Sequence, residues 1–329
     1  MSGQLTIALL DRYEDEIRAA IRQVLPDGWT PVFARSPDEH PEILAGADVA
    51  WVGASPVTRR LLEAAPQLRL VQKLGAGVDN IDVAAARDRR VAVARLAACN
   101  AAQVAEHAVL LMLAVLRRLP EFNRRTREGQ WAKELARARS RQLAGRVVGI
   151  VGLGAIGREV AARLAGFGTT TSYHDPVRPE PEVEAQLRVT YRELDDLLVT
   201  SDVVSLHVPL LPTTHHLLDA RRIALMRRGA ILVNTALGGV VDEHALAAAL
   251  ASGRLAGAGI DTFACEPPGR SSPLLRADGV VVTPHMAGAT ADNFPVVLRR
   301  AVANTEAFLG HGALPDQDVV WCPGTVDAP

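Results

Sequence analysis

Val147-Val148-Gly149-Ile150-Val151-Gly152-Leu153-Gly154-Ala155-Ile156-Gly157 decides the fold. A run of strand formers enters G-x-G-x-x-G and continues into a helical pattern, the order a dinucleotide-binding βαβ unit requires. Gly152 permits the tight turn, Gly154 lets backbone approach a pyrophosphate, and Gly157 lets the helix pack on the strand. Ala155 and Ile156 stand at the helix N-terminus, whose free N–H groups face an anion. The glycine pattern alone also occurs in ordinary turns. Here Asp175 lies 18 residues beyond Gly157, at the end of the next predicted strand. Its carboxylate can accept both hydroxyls of an adenosine ribose and repels a 2′-phosphate, favouring NAD over NADP. Two alternatives stay open, namely Asp175 as a turn residue before Pro176 and the nearby Arg178 as a partner for that phosphate.

Outward from this unit the same alternation continues. Strands are predicted at 147–151, 170–174, 202–207, 230–234, 256–260 and 280–283, with helices at 155–167, 191–198, 219–226 and 242–251. In the first hundred residues, Leu5-Leu10, Val49-Val52, Leu70-Leu74 and Val91-Val93 read as buried strands, and Trp29-Phe33 as a weaker one. Helical patterns lie near 13–24, 58–65 and 82–88. Strands alternating with helices imply parallel sheets covered on both faces, hence an α/β protein. A long helix is predicted from Ala101 to Leu119, closed by Pro120 and followed by a charged segment, 121–141. The tail is predicted helical over 291–309 and loop-like over 312–329.

The 329 residues exceed a single-domain length, so two domains are expected. A 48% hydrophobic, 22% charged composition is ordinary for a soluble protein, and a net charge of −1 gives no reason to expect nucleic acid or a membrane as partner. Cys99, Cys265 and Cys322 form no C-x-x-C pair, so neither a disulfide framework nor a metal site is expected, which fits a reducing cytoplasm. The N-terminal stretch lacks a basic leader and reads as a strand and helix, not a signal peptide. Ala101–Leu116 is too short and too polar to span a bilayer. Only Lys73 and Lys133 among the 36 basic residues are lysines, a bias that points to a GC-rich, bacterial coding sequence.

Gly75-Ala76-Gly77-Val78-Asp79-Asn80-Ile81-Asp82, Asn100-Ala101-Ala102-Gln103-Val104-Ala105-Glu106-His107, and Leu206-His207-Val208-Pro209-Leu210 with Pro212-Thr213-Thr214 form an ordered set. Gly259-Ile260-Asp261-Thr262-Phe263, Cys265-Glu266-Pro267 and Thr283-Pro284-His285-Met286-Ala287-Gly288 complete it. Over roughly residues 5–310 the chain resembles the D-isomer-specific 2-hydroxyacid dehydrogenases, the group of phosphoglycerate, glycerate and D-lactate dehydrogenases, in a short form without an added regulatory domain. The resemblance implies two doubly wound parallel-sheet domains with the active site in the cleft. One is a flavodoxin-like substrate domain, 1–99 plus 289–329, and the other an inserted Rossmann NAD-binding domain, 100–288. It also implies a homodimer through the 101–119 helix and the charged segment after it, although the helix alone could equally be a buried core helix.

In the family, His285 is the acid–base that exchanges a proton with the substrate oxygen, and Glu266 orients the imidazole and raises its pKa. The resemblance makes Asp261 an acceptor for the nicotinamide carboxamide. It places His207, Val208, Pro209, Thr214, Thr235, Ala236, Leu237, His285, Ala287 and Gly288 along the cofactor. The Gly75-Ala76-Gly77 turn could cradle a substrate carboxylate, or merely connect strand to helix. Asp79 and Asn80 read as turn or cap residues, Glu106 and His107 as helix stabilisers, and Cys265 as a buried thiol.

One position departs from the pattern. The family's N-T-A-R-G appears as Asn234-Thr235-Ala236-Leu237-Gly238. The arginine pairs with the substrate and stabilises developing alkoxide charge; leucine offers neither donor nor charge. The loop before Asn100, often Pro- and Gly-containing in the family, is also altered, reading Ala94-Arg95-Leu96-Ala97-Ala98-Cys99. Arg95 or Lys73 could replace the missing cation, or Arg95 could be only a solvated loop charge. Three outcomes follow: an NAD-dependent oxidoreductase with altered substrate range, an ordinary 2-hydroxyacid dehydrogenase impaired by one substitution, or a non-catalytic NAD-binding sensor or interaction protein.

Overall fold

Alternating β-forming and amphipathic segments build two parallel sheets in a computed structural model that describes residues 4–310 and 313–323. The chain divides into two units, Met1–Cys99 with Ala291–Pro329, and Asn100–Thr290.

The first unit contains β1 (Leu5–Leu9), α1 (Asp15–Val24), β2 (Trp29–Phe33), α2 (His40–Ala45), β3 (Val49–Val52), α3 (Arg59–Glu63), β4 (Leu70–Lys73), α4 (Val83–Asp88) and β5 (Ala92–Ala94). Its sheet order is β13-β5-β4-β3-β1-β2, parallel except for β13 (Val319–Trp321), which pairs antiparallel with β5. Period-two alternation sorts side chains to opposite faces. Leu5, Ile7 and Leu9 pack with Ile21 of α1 and with Leu298 and Ala301 of α13 (Phe294–Leu309). Ala8 and Leu10 pack with Leu44, Leu62 and Ala85 of α2, α3 and α4.

The second unit opens with α5 (Ala101–Leu116), α6 (Leu119–Arg127) and α7 (Lys133–Arg139). It continues through β6 (Val147–Val151), α8 (Ala155–Ala165), β7 (Thr170–His174), α9 (Pro181–Leu187), β8 (Val189–Tyr191), α10 (Leu194–Thr200) and β9 (Val203–Leu206). It ends with α11 (Ala220–Leu225), β10 (Ile231–Asn234), α12 (Glu243–Ala251), β11 (Gly257–Ile260) and β12 (Val280–Val282). All seven strands are parallel, in the order β12-β11-β10-β9-β6-β7-β8. Val148, Ile150, Ile231 and Val233 face α5 and α8, whereas Val204, Leu206, Leu232 and Ile260 face α10, α11 and α12. This is the doubly wound arrangement, with strand order reversing between β6 and β9.

Two sequence expectations are corrected, and two stretches left unassigned gain elements. The long helix stops at Leu116, because Arg118 adopts φ +50, and Pro120 opens α6 instead of closing α5. The charged segment holds two helices, in which Glu121 pairs with Arg118 and Arg125 and Glu128 with Arg124 at helical spacing. Residues 176–191 contain α9 and β8, elements the sequence reading passed over, and the helix expected from 191 starts at Leu194. Part of the tail predicted as loop is strand β13, tied down by buried Asp318, whose carboxylate takes Ala97 N–H, Arg300 and Asn304. The rest of that prediction, at 312 and 324–329, lies outside the described residues.

Candidate active site

The reversal of strand order leaves the ends of β6 and β9 splayed, and the glycine loop occupies that point. Gly152 has φ +95, and a Cβ there would meet the His207 carbonyl oxygen at 2.5 Å, so only glycine fits. A side chain at Gly157 would collide with the Gly152 carbonyl, while Gly154 has nothing within 4 Å of an added Cβ. The loop is closed on itself and open toward a ligand at its middle glycine. Ala155 begins α8 beside it. Arg158 Nε donates to the Leu153 carbonyl at 3.1 Å, adding a guanidinium to the loop that the sequence reading missed.

Asp175 immediately follows β7, where Oδ2 accepts the Leu153 N–H (2.7 Å) and Oδ1 the Val177 N–H (2.9 Å). The carboxylate is both the turn residue considered above and a fixed negative group beside the loop. Arg178 is already engaged: it bonds Glu184 at 2.9 Å and lies 4.6 Å from the centre of the Tyr191 ring. It pulls the Glu184 carboxyl below the usual range together with the Tyr173 hydroxyl, whose bond to Glu184 is the larger cause.

Past β9, His207 bonds Ser205 Oγ through Nε2 at 2.9 Å, and its Nδ1 is inaccessible and unpartnered. Burial pushes the imidazole down to about 3, so it is neutral. Val208 flanks Gly152, and Thr214 closes the 209–214 turn by donating to Pro209 O at 2.6 Å and accepting from Leu211 N at 2.7 Å. Past β10, Asn234 clamps the next turn: Oδ1 takes the Ala236 N–H and Nδ2 donates to the Leu237 carbonyl, each at 3.0 Å. The Thr235 hydroxyl is buried without a partner. A glycine cradle, an open helix start and two unpaired buried polar atoms along one sheet end fit a dinucleotide.

Leu237 follows in extended backbone, half-buried, packed against the apolar cluster beneath β9, β10 and β11. The next residue has no room for any side chain, since a Cβ on Gly238 would collide with the Phe263 backbone.

His285 and Glu266 come together. Nδ1 of the imidazole lies 2.7 Å from Glu266 Oε2, while Oε1 accepts the Phe263 N–H at 2.9 Å. Burial raises the Glu266 pKa, but the bonds from His285 and Phe263 outweigh it and hold the carboxyl below the usual range. His285 adopts φ +51, a left-handed conformation uncommon for a side-chain residue. Fully buried Asp261 secures it. Its backbone oxygen accepts the His285 N–H (2.8 Å), Oδ1 takes Met286 N–H (2.9 Å) and Thr283 Oγ1 (2.5 Å), and Oδ2 takes Ala287 N–H (2.9 Å). Thr283 spends its proton on Asp261, so it accepts from His107 Nε2, 3.0 Å away on α5. Sequence reasoning singled out Asp261 and His107 but not the bonds that join them through Thr283, because these partners are remote in sequence. A Cβ on Gly288 would press on the amide end of the Asn100 side chain at the start of α5, so Asn100 packs closely over this turn. Cys265 is exposed, not buried as expected, because it lies in the loop after β11.

In the other unit, Gly75–Gly77 follows β4, and the Gly75 carbonyl accepts the Leu96 N–H at 2.8 Å. Lys73 Nζ donates to Gly53 O (2.5 Å) and Asn80 Oδ1 (2.7 Å); burial lowers its pKa against the pull of Asp79 and Asp11. Arg95 Nε donates to Gln317 O at 3.2 Å. Among the described residues no cluster of His, Cys, Asp or Glu could hold a metal ion, and no helix is long and apolar enough to cross a membrane.

A parallel sheet with a glycine loop at its reversal point defines a dinucleotide-binding unit. Residues 109–287 match the family model for the D-isomer specific 2-hydroxyacid dehydrogenase, NAD binding domain. Hydroxypyruvate reductase of Thermotoga maritima is 40% identical over 258 residues, 78% of this chain and 82% of that protein. D-3-phosphoglycerate dehydrogenase of Mycobacterium bovis is 42% identical over 239 residues, 73% of this chain but 44% of the longer relative. The structure of NAD-dependent formate dehydrogenase from Staphylococcus aureus in complex with NAD matches with TM-score 0.88 and 28% identity, covering 97% of this chain and 100% of that one. The chain belongs to the D-isomer specific 2-hydroxyacid dehydrogenase family, and its cofactor is NAD.

Proposed function

We propose that the protein transfers a hydride between NAD(H) and a 2-hydroxy/2-oxo acid pair, with substrate anchoring altered by Leu237. The observation that carries this reading is the His285–Glu266 pair, held at 2.7 Å on a turn that Asp261 fixes from below. A site released from catalysis has no chemical need to keep a left-handed histidine against an ionised carboxylate.

NAD, when bound, supplies the hydride acceptor. Gly152, Gly154 and Gly157, with the N–H groups of Ala155 and Ile156, would hold the pyrophosphate, and Asp175 the adenosine ribose. His207, Val208, Pro209, Thr214, Thr235, Ala236, Leu237, Ala287 and Gly288 would line the remainder. Asp261, fully buried and committed to the 283–287 turn, would act on the nicotinamide end by positioning that turn. His285 Nε2 would give a proton to the substrate oxygen in reduction and take it back in oxidation. Glu266 fixes the ring orientation and favours its charged form.

Leu237 withdraws the bidentate cation, so the substrate carboxylate must be held otherwise. We assign that task to the Gly75-Ala76-Gly77 amides, with Arg95 or Lys73 as supporting charge. Both cations already have partners, Arg95 at Gln317 O and Lys73 at Gly53 O and Asn80 Oδ1, so either would exchange a bond for the substrate. Steady-state NADH oxidation with glyoxylate, hydroxypyruvate, pyruvate and phenylpyruvate tests the proposal. Turnover with any of them supports it, and tight NADH binding without turnover on the whole panel identifies a non-catalytic NAD-binding protein instead. We further propose a homodimer through α5 and the charged segment after it, where Leu110, Leu119 and Trp131 are 51%, 55% and 83% exposed. Sedimentation equilibrium at twice the monomer mass of 35.1 kDa is the expected result.

A further inference from the structure

A cavity of about 430 Å³ lies in the second unit, at the end of its sheet away from the glycine loop. Arg146 immediately precedes β6 and Arg228 precedes β10, whereas Gly152 follows β6, so strands spanning roughly 15 Å separate the two places. The last turn of α5 supplies an apolar floor through Val115 and Leu116. Arg118, Arg139, Arg141, Arg146 and Arg228 form the polar wall, with no acidic residue in the lining.

The carboxylates nearby are already shared. Glu121 serves Arg118 at 3.1 Å, Arg139 at 3.5 Å and Arg125 at 3.0 Å. Asp202 serves Arg227 at 2.8 Å and reaches Arg146 only at 3.8 Å. The Arg141 guanidinium bonds only the Ala138 and Ser140 carbonyls, and Arg228 has no hydrogen bond or ion pair among the described residues. Two guanidinium groups therefore face the cavity without a counter-charge, which is self-repulsive unless an anion enters. A phosphate group carries about −1.5 to −2 charge and three strong acceptor oxygens, matching two arginine forks. The volume lies in the range of small-molecule sites, roughly 300–1,000 Å³, so it has room for an organic part over the apolar floor.

We propose that this cavity binds a phosphate-bearing small molecule, at a site separate from the cofactor and the substrate. The test is thermal unfolding and equilibrium dialysis of the full chain with inorganic phosphate and with glycerol 3-phosphate. Saturating NADH keeps the pyrophosphate-binding loop occupied, and potassium chloride matches ionic strength. Saturable stabilisation of about 5 °C at about 100 times Kd is expected. The Arg141→Ala/Arg228→Ala pair should weaken binding at least 10-fold, and Arg228→Glu alone should abolish it. Arg124→Ala, outside the cavity and paired with Glu128, should bind as wild type. Tighter binding of the ester assigns the organic floor a role, and equal binding assigns the site to phosphate itself. A response no greater than with chloride, or one unchanged in the double variant, overturns the proposal. So does a wild type without phosphate response whose double variant changes sedimentation, because the arginines then meet a second copy of the chain.

Discussion

A guanidinium at position 237 would meet the substrate with two parallel donors and a charge, whereas the leucine there packs onto the cluster beneath β9–β11. Leu237→Arg should raise kcat/KM on 2-oxo acids by about 10²–10³, the usual value of one such donor. It should also lower stability by about 1 kcal/mol through lost burial. Steady-state kinetics and urea unfolding read the two effects, and unchanged kcat/KM would show that the substrate is not anchored there. Ala98 is a second residue out of pattern. It adopts φ +56 in the loop where the family often carries Pro or Gly. A left-handed alanine costs about 1–2 kcal/mol, so Ala98→Gly should stabilise the chain by roughly 0.5–1 kcal/mol in urea after the entropy of glycine is subtracted. Destabilisation would mean that the Ala98 methyl group packs usefully. Motif residues such as Gly152 and Gly157 were legible because each answers a local steric demand. Asn234 and His107 were not, since nothing in their own neighbourhoods announces the Leu237 carbonyl or Thr283, the latter 176 positions away from His107.

The turn after β12 shows how elements carry the chemistry. His285 keeps its left-handed backbone because Asp261 accepts three bonds from residues 283–287 through its side chain, and α5 braces Thr283 through His107. Thr283→Val preserves shape but removes the hydroxyl, leaving His107 Nε2 and Asp261 Oδ1 each short of a partner. The expected outcome is a roughly 10-fold fall in kcat with KM for NADH held, and near-complete recovery in Thr283→Ser. Loss of NADH affinity in step with kcat would assign Thr283 to the cofactor pocket instead of the His285 turn. Strands and helices with apolar periodicity were legible almost to the residue, β2 included. What escaped were the short helices α2 and α9, the charge-rich α6 and α7, in which Arg–Glu pairs recur at helical spacing, and three-residue strands such as β8 and β13, whose partners define them. Periodicity reports burial on one face, so elements organised by charge or by edge pairing leave little trace in it.

Both units reverse strand order beside their first strand, and in the second unit the reversal partly buries a titratable group. His207 sits where β9 leaves the sheet against Gly152, with Nδ1 inaccessible and the imidazole held down at about 3. In the unfolded chain the same histidine titrates near its ordinary 6.5. Between these values the unfolded state binds one proton more than the folded state, so stability rises with pH across the window and falls on acidification. The slope reaches about 1.4 kcal/mol per pH unit, giving up to about 2 kcal/mol lost between pH 6.5 and 5. Glu266 does not confuse this interval. Its folded pKa lies below 4.5, so its contribution is present above 4.5 and is lost only at lower pH. His207→Gln keeps a polar end near Ser205 without a proton to gain. Urea unfolding of both proteins at pH 5–7.5, followed by amide exchange in β6, β9 and β10, should give a shallower acid slope for the variant. Parallel slopes would mean that His207 protonates in the folded state as readily as in the unfolded one. The buried reversal point would then tolerate charge, and the tight seating of the glycine loop against β9 would have to loosen at pH 5.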